Sequence, residues 1–268
     1  MSDIADLPVP QQRPTGGPAI ALRGLGKRFG DLIAVKGIDL DVPRGSFFGL
    51  VGPNGAGKTT TLSMVTGLLR PDAGHAFVLG RDVWSDPVAT KRLVGVLPDG
   101  LKLFDRLTGL QLITYAGLLR GLSRELASER AAELVAALGL TEAQGKLVVD
   151  YSAGMTKKVT LASALVHAPR VLVLDEPFEA VDPISAATIR RILTGFVESG
   201  GTVVLSSHVM DLVERICTHV AVISDGLVLA AGELDAVRAG RSLEERFVDL
   251  VGGSTEVVGL SWLRTSSD

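Results

Sequence analysis

Phe47-Phe48-Gly49-Leu50-Val51 is short and wholly apolar. The residues that follow, Gly52-Pro53-Asn54-Gly55-Ala56-Gly57-Lys58-Thr59-Thr60, fit the pattern G-x-x-x-x-G-K-[ST]. A buried strand that runs into such a loop and hands over to a helix commits the chain to an α/β architecture. Each residue type has a chemical reason. Glycines let successive backbone N–H groups curl around phosphate oxygens with no Cβ in the way. A helix opening at Lys58 points the positive end of its dipole at the anion. Lys58 supplies a mobile cation for the β- and γ-phosphates, and the Thr59 hydroxyl is placed to ligate Mg²⁺. The passage therefore predicts a site for ATP and Mg²⁺.

The rest of the text agrees with an α/β core. Strands are predicted at 20–22, 33–42, 77–79, 94–97, 171–174, 202–205 and 220–223, and helices at 58–69, 155–167, 185–198 and 209–216. This alternation implies a mostly parallel sheet. The strands at 20–22 and 33–42, with a turn at Gly30-Asp31 between them, are expected to form an N-terminal antiparallel β-subdomain. Between 107 and 140 the composition changes: β-branched runs vanish and Leu, Ala, Glu and Arg dominate. Thr108 and Ser123 are candidate helix caps there. We expect a helical lobe at about 101–158, inserted into a nucleotide-binding domain that spans 19–235. Residues 1–18, rich in Pro, Gln and Gly, read as a disordered tail. Residues 236–268 read as a helical tail with an amphipathic helix at 243–251.

A second chemical feature lies at the end of the 171–174 run, where Asp175-Glu176-Pro177 follows four apolar residues. A buried parallel strand delivering two carboxylates at its C-terminal edge suits a metal ion and a water molecule. Asp175 is the candidate Mg²⁺ partner, through water, and Glu176 the candidate base for the attacking water.

With these residues in place, the chain closely resembles the nucleotide-binding subunits of ABC transporters, and its tail, with Ser242-Leu243-Glu244-Glu245-Arg246-Phe247, resembles the end of bacterial exporter ATPases of the ABC-2 kind. The family resemblance spans about 19–232 and rests on motifs in order. Tyr151-Ser152-Ala153-Gly154-Met155 resembles the family's signature sequence. Ala180-Val181-Asp182-Pro183 resembles its D-loop, and Ser207-His208 its switch histidine. Phe29 sits where the family stacks an aromatic ring on adenine. The resemblance implies a head-to-tail dimer that sandwiches two ATP molecules. Ser152 and the Gly154 N–H of one subunit then face the γ-phosphate held by the other, with Ala153, Met155 and Asp182 at the same junction. His208 is expected to hold the γ-phosphate and the attacking water. The implied activity is ATP hydrolysis that powers transport, coupled to a separate transmembrane permease subunit, at the cytoplasmic face of the membrane.

The chain departs from the family pattern in two places, the residue after Leu97-Pro98 and the signature. Leu97-Pro98 is followed by Asp99 where the family usually has Gln. A carboxylate there either binds Mg²⁺ more strongly than an amide or is partly protonated. In the signature, Ala153 replaces a glycine and Met155 a glutamine, while Ser152 and Gly154 are kept. Hydrolysis is expected to survive, at a reduced rate.

Other readings remain. A soluble ABC ATPase acting on ribosomes or DNA usually carries two ATPase domains, coiled coils or zinc sites, and these features are not seen here. A net charge of -3 and a pI near 5.9 give no basic surface for nucleic acid. A nucleotide kinase needs none of the later motifs. Mean hydropathy is high at +0.34, yet the apolar runs are strand-sized and fall short of a membrane span. The polar, proline-rich opening has no apolar core of a signal peptide. The single cysteine, Cys217, excludes an intrachain disulfide, is expected to be a small buried hydrophobe, and suits a reducing compartment. Leu101, Leu103 and Phe104 are expected to form a groove for a helix of the membrane subunit. His75, His167 and His219 are expected to be structural or exposed, and Lys157-Lys158 a solvated helix face. Trp84 and Trp262 are left without a role.

Overall fold

A computed structural model describes residues 17–100 and 102–252. Most of the expected tails, with Trp262 and Leu101, lie outside the described residues. β1 (Ile20–Phe29) and β2 (Leu32–Val42) form an antiparallel hairpin. β1 is longer than expected because register shifts between Leu22 and Gly26 hide its alternation. β3 (Phe47–Val51) is buried throughout and feeds the phosphate loop, and α1 (Lys58–Val65) follows. This helix stops four residues before the expected end. The chain turns at Gly67, where φ is +69°, and the Leu68 and Leu69 amides fold back onto the Ser63 carbonyl.

β4 (Ala73–Val78), β5 (Arg81–Asp82), α2 (Pro87–Leu93) and β6 (Val94–Leu97) come next. α2 was not expected, although Asp86 caps it by accepting from the Ala89 amide and Pro87 occupies its first turn. The helical segment holds α3 (Gly109–Leu119), α4 (Arg124–Ala137) and α5 (Ala153–Leu165). Thr108 and Gln111 form a capping box on α3, and Ser123 caps α4, as the sequence predicts. β7 (Val171–Leu174), α6 (Pro183–Glu198), β8 (Thr202–Ser207), α7 (Met210–Ile216), β9 (His219–Ser224) and β10 (Leu227–Glu233) complete the core. α8 (Leu234–Arg238) and α9 (Leu243–Val251) close the described chain. Leu243 is fully buried, and Phe247 and Leu250 pack with it against the core.

One sheet, ordered β2-β1-β4-β5, is antiparallel, and the other is ordered β10-β9-β3-β8-β7-β6. Its strands are parallel except the edge strand β10. Alternation along the parallel strands divides the interior in two. Phe48, Leu50, Val171 and Val173 face α1 and the antiparallel sheet. Phe47, Val51, Leu172 and Leu174 face α5, α6 and the remaining helices. A sheet covered on both faces can present reactive groups only at its edges, and ligands gather where parallel strands end.

Candidate functional site

Register places the site. Val51 lies beside Ser207, Leu174 beside Leu205, and Leu97 beside Leu174. The loops leaving β3, β8, β7 and β6 therefore emerge side by side. They carry the phosphate loop, His208, Asp175-Glu176 and Asp99, residues far apart in the chain. A cleft of about 520 Å³ opens there. Phe29, Asn54, Gly55, Ala56, Gly57, Lys58, Thr59, Thr60, Asp99, Glu176 and His208 all line it.

The phosphate loop needs glycine where backbone crowds it. Gly57 has φ +103°, and a Cβ there would lie 2.5 Å from the Ala34 carbonyl oxygen. A Cβ on Gly52 would lie 2.0 Å from the Ile223 carbonyl oxygen. Gly57 also precedes α1 without any side-chain cap, so the first amides of the helix stay free for an anion. Lys58 Nζ donates to the Gly52 and Pro53 carbonyls at 2.7 and 3.2 Å. It also lies 3.7 Å from Glu176 Oε1. Burial lowers the Lys58 pKa, opposed by the charges of Glu176 and Asp175.

Glu176 is held from several sides. His208 Nδ1 lies 3.1 Å from its Oε1. Its N–H donates to Ser206 Oγ at 2.9 Å. Ser206 is fully buried and donates in turn to Asp175 Oδ1. Asp175 is itself buried and stands behind the cleft wall. The oxygen donors of Thr59, Asp99 and Asp175 suit Mg²⁺, a hard cation that takes few protein ligands and completes its shell with water and phosphate oxygens. Among the described residues no cluster of three or more His, Cys, Asp or Glu is arranged for a metal.

Ser152, Ala153, Gly154, Met155 and Asp182 stand outside this cleft. Ser152 caps α5 by accepting from the Met155 amide at 3.3 Å. Asp182 caps α6, accepting from the Ile184 and Ser185 amides at 3.1 and 2.9 Å. These bonds, that of Ser185 first, hold its carboxyl below the usual range. Gly154 is buried, and a Cβ on it would lie 2.7 Å from Asp182 Oδ2 and 2.8 Å from Ser185 Oγ. Close packing against α6 is thus one reason for glycine there.

At the mouth of the cleft, Phe29 is 48% exposed, with Lys27 Nζ 5.7 Å from its ring centroid. Leu103 packs against the core, whereas Phe104 stays exposed, edge-on to Tyr115 at 5.7 Å. Phe104 and Tyr115 line an apolar groove of about 840 Å³ with Leu107, Leu110 and Leu118.

Four features of the site escaped the sequence reading. Ser206 is one, and Glu179, which lines the cleft, is another. The third is the Asp225-Gly226 turn, whose Gly226 amide donates to the Ala56 carbonyl at 3.0 Å and braces the phosphate loop from behind. Asp-Gly between two apolar runs is a strong hairpin signal, with positive φ at both residues, and it was available in the sequence. The fourth corrects an expectation. Lys157 and Lys158 do not form a solvated face, because α5 is packed against neighbours on that side. Lys158 is 8% exposed, and Lys157 Nζ donates to the Glu176 carbonyl at 2.8 Å. His75 is exposed beside Asp82, and His167 is part-buried against Val94. Cys217 is buried, which pushes its thiol pKa well up.

Together the phosphate loop, the carboxylate pair and the histidine on adjacent parallel strands define an ATP-binding cassette. The chain belongs to the ABC transporter family, whose pattern matches residues 35–179. It is 40% identical over 214 residues to a daunorubicin/doxorubicin resistance ATP-binding protein of Streptomyces peucetius, covering 80% of this chain and 65% of that one. It is 36% identical over 206 residues to a linearmycin resistance ATP-binding protein of Bacillus subtilis, covering 77% and 66%. The chain thus spans slightly less than two thirds of these relatives' length. An ATP-binding subunit of an ABC transporter superposes with a TM-score of 0.80 at 27% identity, covering 87% of this chain and 99% of the other. Among the described residues no helix is long and apolar enough to cross a membrane.

Proposed function

We propose that this chain hydrolyses Mg·ATP to drive export through a separate membrane subunit, working as a dimer of cassettes at the cytoplasmic face of the membrane. One observation carries the proposal: Lys58, Glu176 and His208 converge on a single cleft whose floor is the phosphate loop. Lys58 exchanges its loop carbonyls for β- and γ-phosphate oxygens. Glu176 accepts hydrogen bonding from the attacking water, and His208 steadies that water and the γ-phosphate. Thr59 and Asp175 would hold Mg²⁺, directly and through water, and the ion would withdraw charge from the phosphates. Phe29 offers an exposed face to the adenine ring.

The cleft is open on one side, and Ser152 and Gly154 lie outside it, which fits a site completed by a second subunit. The exposed groove at Phe104 and Tyr115 offers apolar surface to a helix of the membrane subunit. Export is supported by the relatives, which are resistance proteins by name. The test is Glu176→Gln. It should retain ATP binding, lose roughly two orders of magnitude or more in kcat, and accumulate as an ATP-bound dimer. Hydrolysis at the wild-type rate would remove Glu176 from the role of base.

A further inference from the structure

We propose that Lys157 is a positioning residue for Glu176, and that its pairing with Asp99 ties the placement of Glu176 to the loop entering the helical segment. The inference rests on the hydrolytic reading above. Lys157 sits on α5, one turn beyond Ser152, and does not line the cleft. Its Nζ donates to the Glu176 carbonyl at 2.8 Å and lies 3.6 Å from Asp99 Oδ1. The side chain is only 18% exposed, and these two oxygens are the acceptors it meets. The shorter contact is a hydrogen bond, and the longer one is an ion pair.

Glu176 needs such a partner. Its φ is +44°, in the left-handed region that a glutamate rarely adopts. Strained backbone persists where its surroundings over-determine it. Here the N–H of Glu176 is bonded to Ser206 on β8, and the carbonyl to Lys157 on α5. The carbonyl's other donor is the Glu179 amide, at 3.3 Å. The backbone of the candidate base is thus clamped between the parallel sheet and the helical segment. A small displacement of α5 moves the carboxylate relative to the cleft, where sub-ångström placement governs rate.

Asp99 adds a second consequence. Its carboxylate lines the cleft and is 48% exposed, and Lys157 compensates its charge from behind. Lys157 therefore shares its charge between the loop after β6 and the turn after β7. A movement of the 98–100 loop that draws Lys157 toward Asp99 lengthens its bond to Glu176. Loop position and base position are linked through one ammonium group.

The experiment combines steady-state ATPase kinetics with hydrogen–deuterium exchange of the 171–182 segment in nucleotide-free protein. Lys157→Met should lower kcat by roughly 10–100-fold. It should leave KM for ATP within about twofold, because Lys157 does not reach the cleft. Exchange in the turn after β7 should speed up, and Lys157→Arg should restore most of both properties. Asp99→Asn should speed exchange in that turn much less than Lys157→Met does, since the bond to the Glu176 carbonyl remains. Lys157→Gln serves as a second variant if Lys157→Met fails to fold. The proposal is overturned if kcat and exchange stay at wild-type values, or if KM rises while kcat is unchanged. If Glu176→Gln proves fully active while Lys157→Met still speeds exchange, the hydrolytic reading fails and the tether stands.

Discussion

Replacing Ser206 with alanine removes a single oxygen atom that serves two partners. Ser206 is fully buried, donates to Asp175 and accepts from the Glu176 N–H at 2.9 Å. Loss of a hydrogen bond to a charged group costs about 1.5–3 kcal/mol, and leaving a buried N–H unpaired costs about 1–3 kcal/mol. Both losses arise at one site, and the Glu176 side chain, 12% exposed, admits some water. The lower part of the combined range applies, about 3 kcal/mol. For a chain of this size that lowers the melting temperature by roughly 6–12 °C. The same change frees Asp175 and the Glu176 backbone, so kcat should fall by roughly tenfold or more with little change in KM. Thermal melting without nucleotide, followed by phosphate-release kinetics, measures both. A melting temperature within about 2 °C of wild type would show that the hydroxyl holds neither carboxylate region in place.

Two further outcomes follow from packing, one at the start of β6 and one behind the phosphate loop. His167 has its pKa held down at about 4, by burial first and by the Arg120 charge second. The native state therefore stays neutral there while the unfolded chain takes up a proton below roughly pH 6.5. Stability from this group is full above that pH and is lost as pH falls from about 6.5 toward 4. His167→Gln should flatten that stretch of a urea-midpoint profile, and an unchanged slope would assign the loss to other groups. Gly226 has φ +74°, and a Cβ there would meet the Ala34 carbonyl oxygen at 2.8 Å. Gly226→Ala should cost at least about 1–2 kcal/mol from backbone conformation alone. It should also weaken binding of a fluorescent ATP analogue, since the Gly226 amide braces Ala56; unchanged affinity would separate the turn from the loop.

Much of this protein is legible in its sequence because the signals are local. The apolar run 47–51 and the glycines after it specify strand, loop and helix start within a few residues. Thr108 and Ser123 cap α3 and α4 through partners three residues away. The extent of β1 was harder to read, because its register shifts break the alternation. α2 and β10 were missed, although Asp86-Pro87 and Asp225-Gly226 carried usable signals.

The sequence by itself determined which chemical groups the site contains: a phosphate loop, two carboxylates on a strand end, a histidine after another strand and a carboxylate at Asp99. Tertiary structure decided what holds them. Ser206 reads as a polar residue just past the strand at 202–205, yet the register of β7 against β8 makes it the bridge between Asp175 and Glu176. Gly154 resembles part of a phosphate-facing motif, yet the close approach of Asp182 and Ser185 also favours glycine there. Lys157 reads as a solvated lysine and instead donates to the backbone of Glu176. The physical reason is common to all three. Glycine loops and caps act through neighbours a few residues away, whereas these contacts join separate elements, and only the packing of those elements brings them within bonding distance.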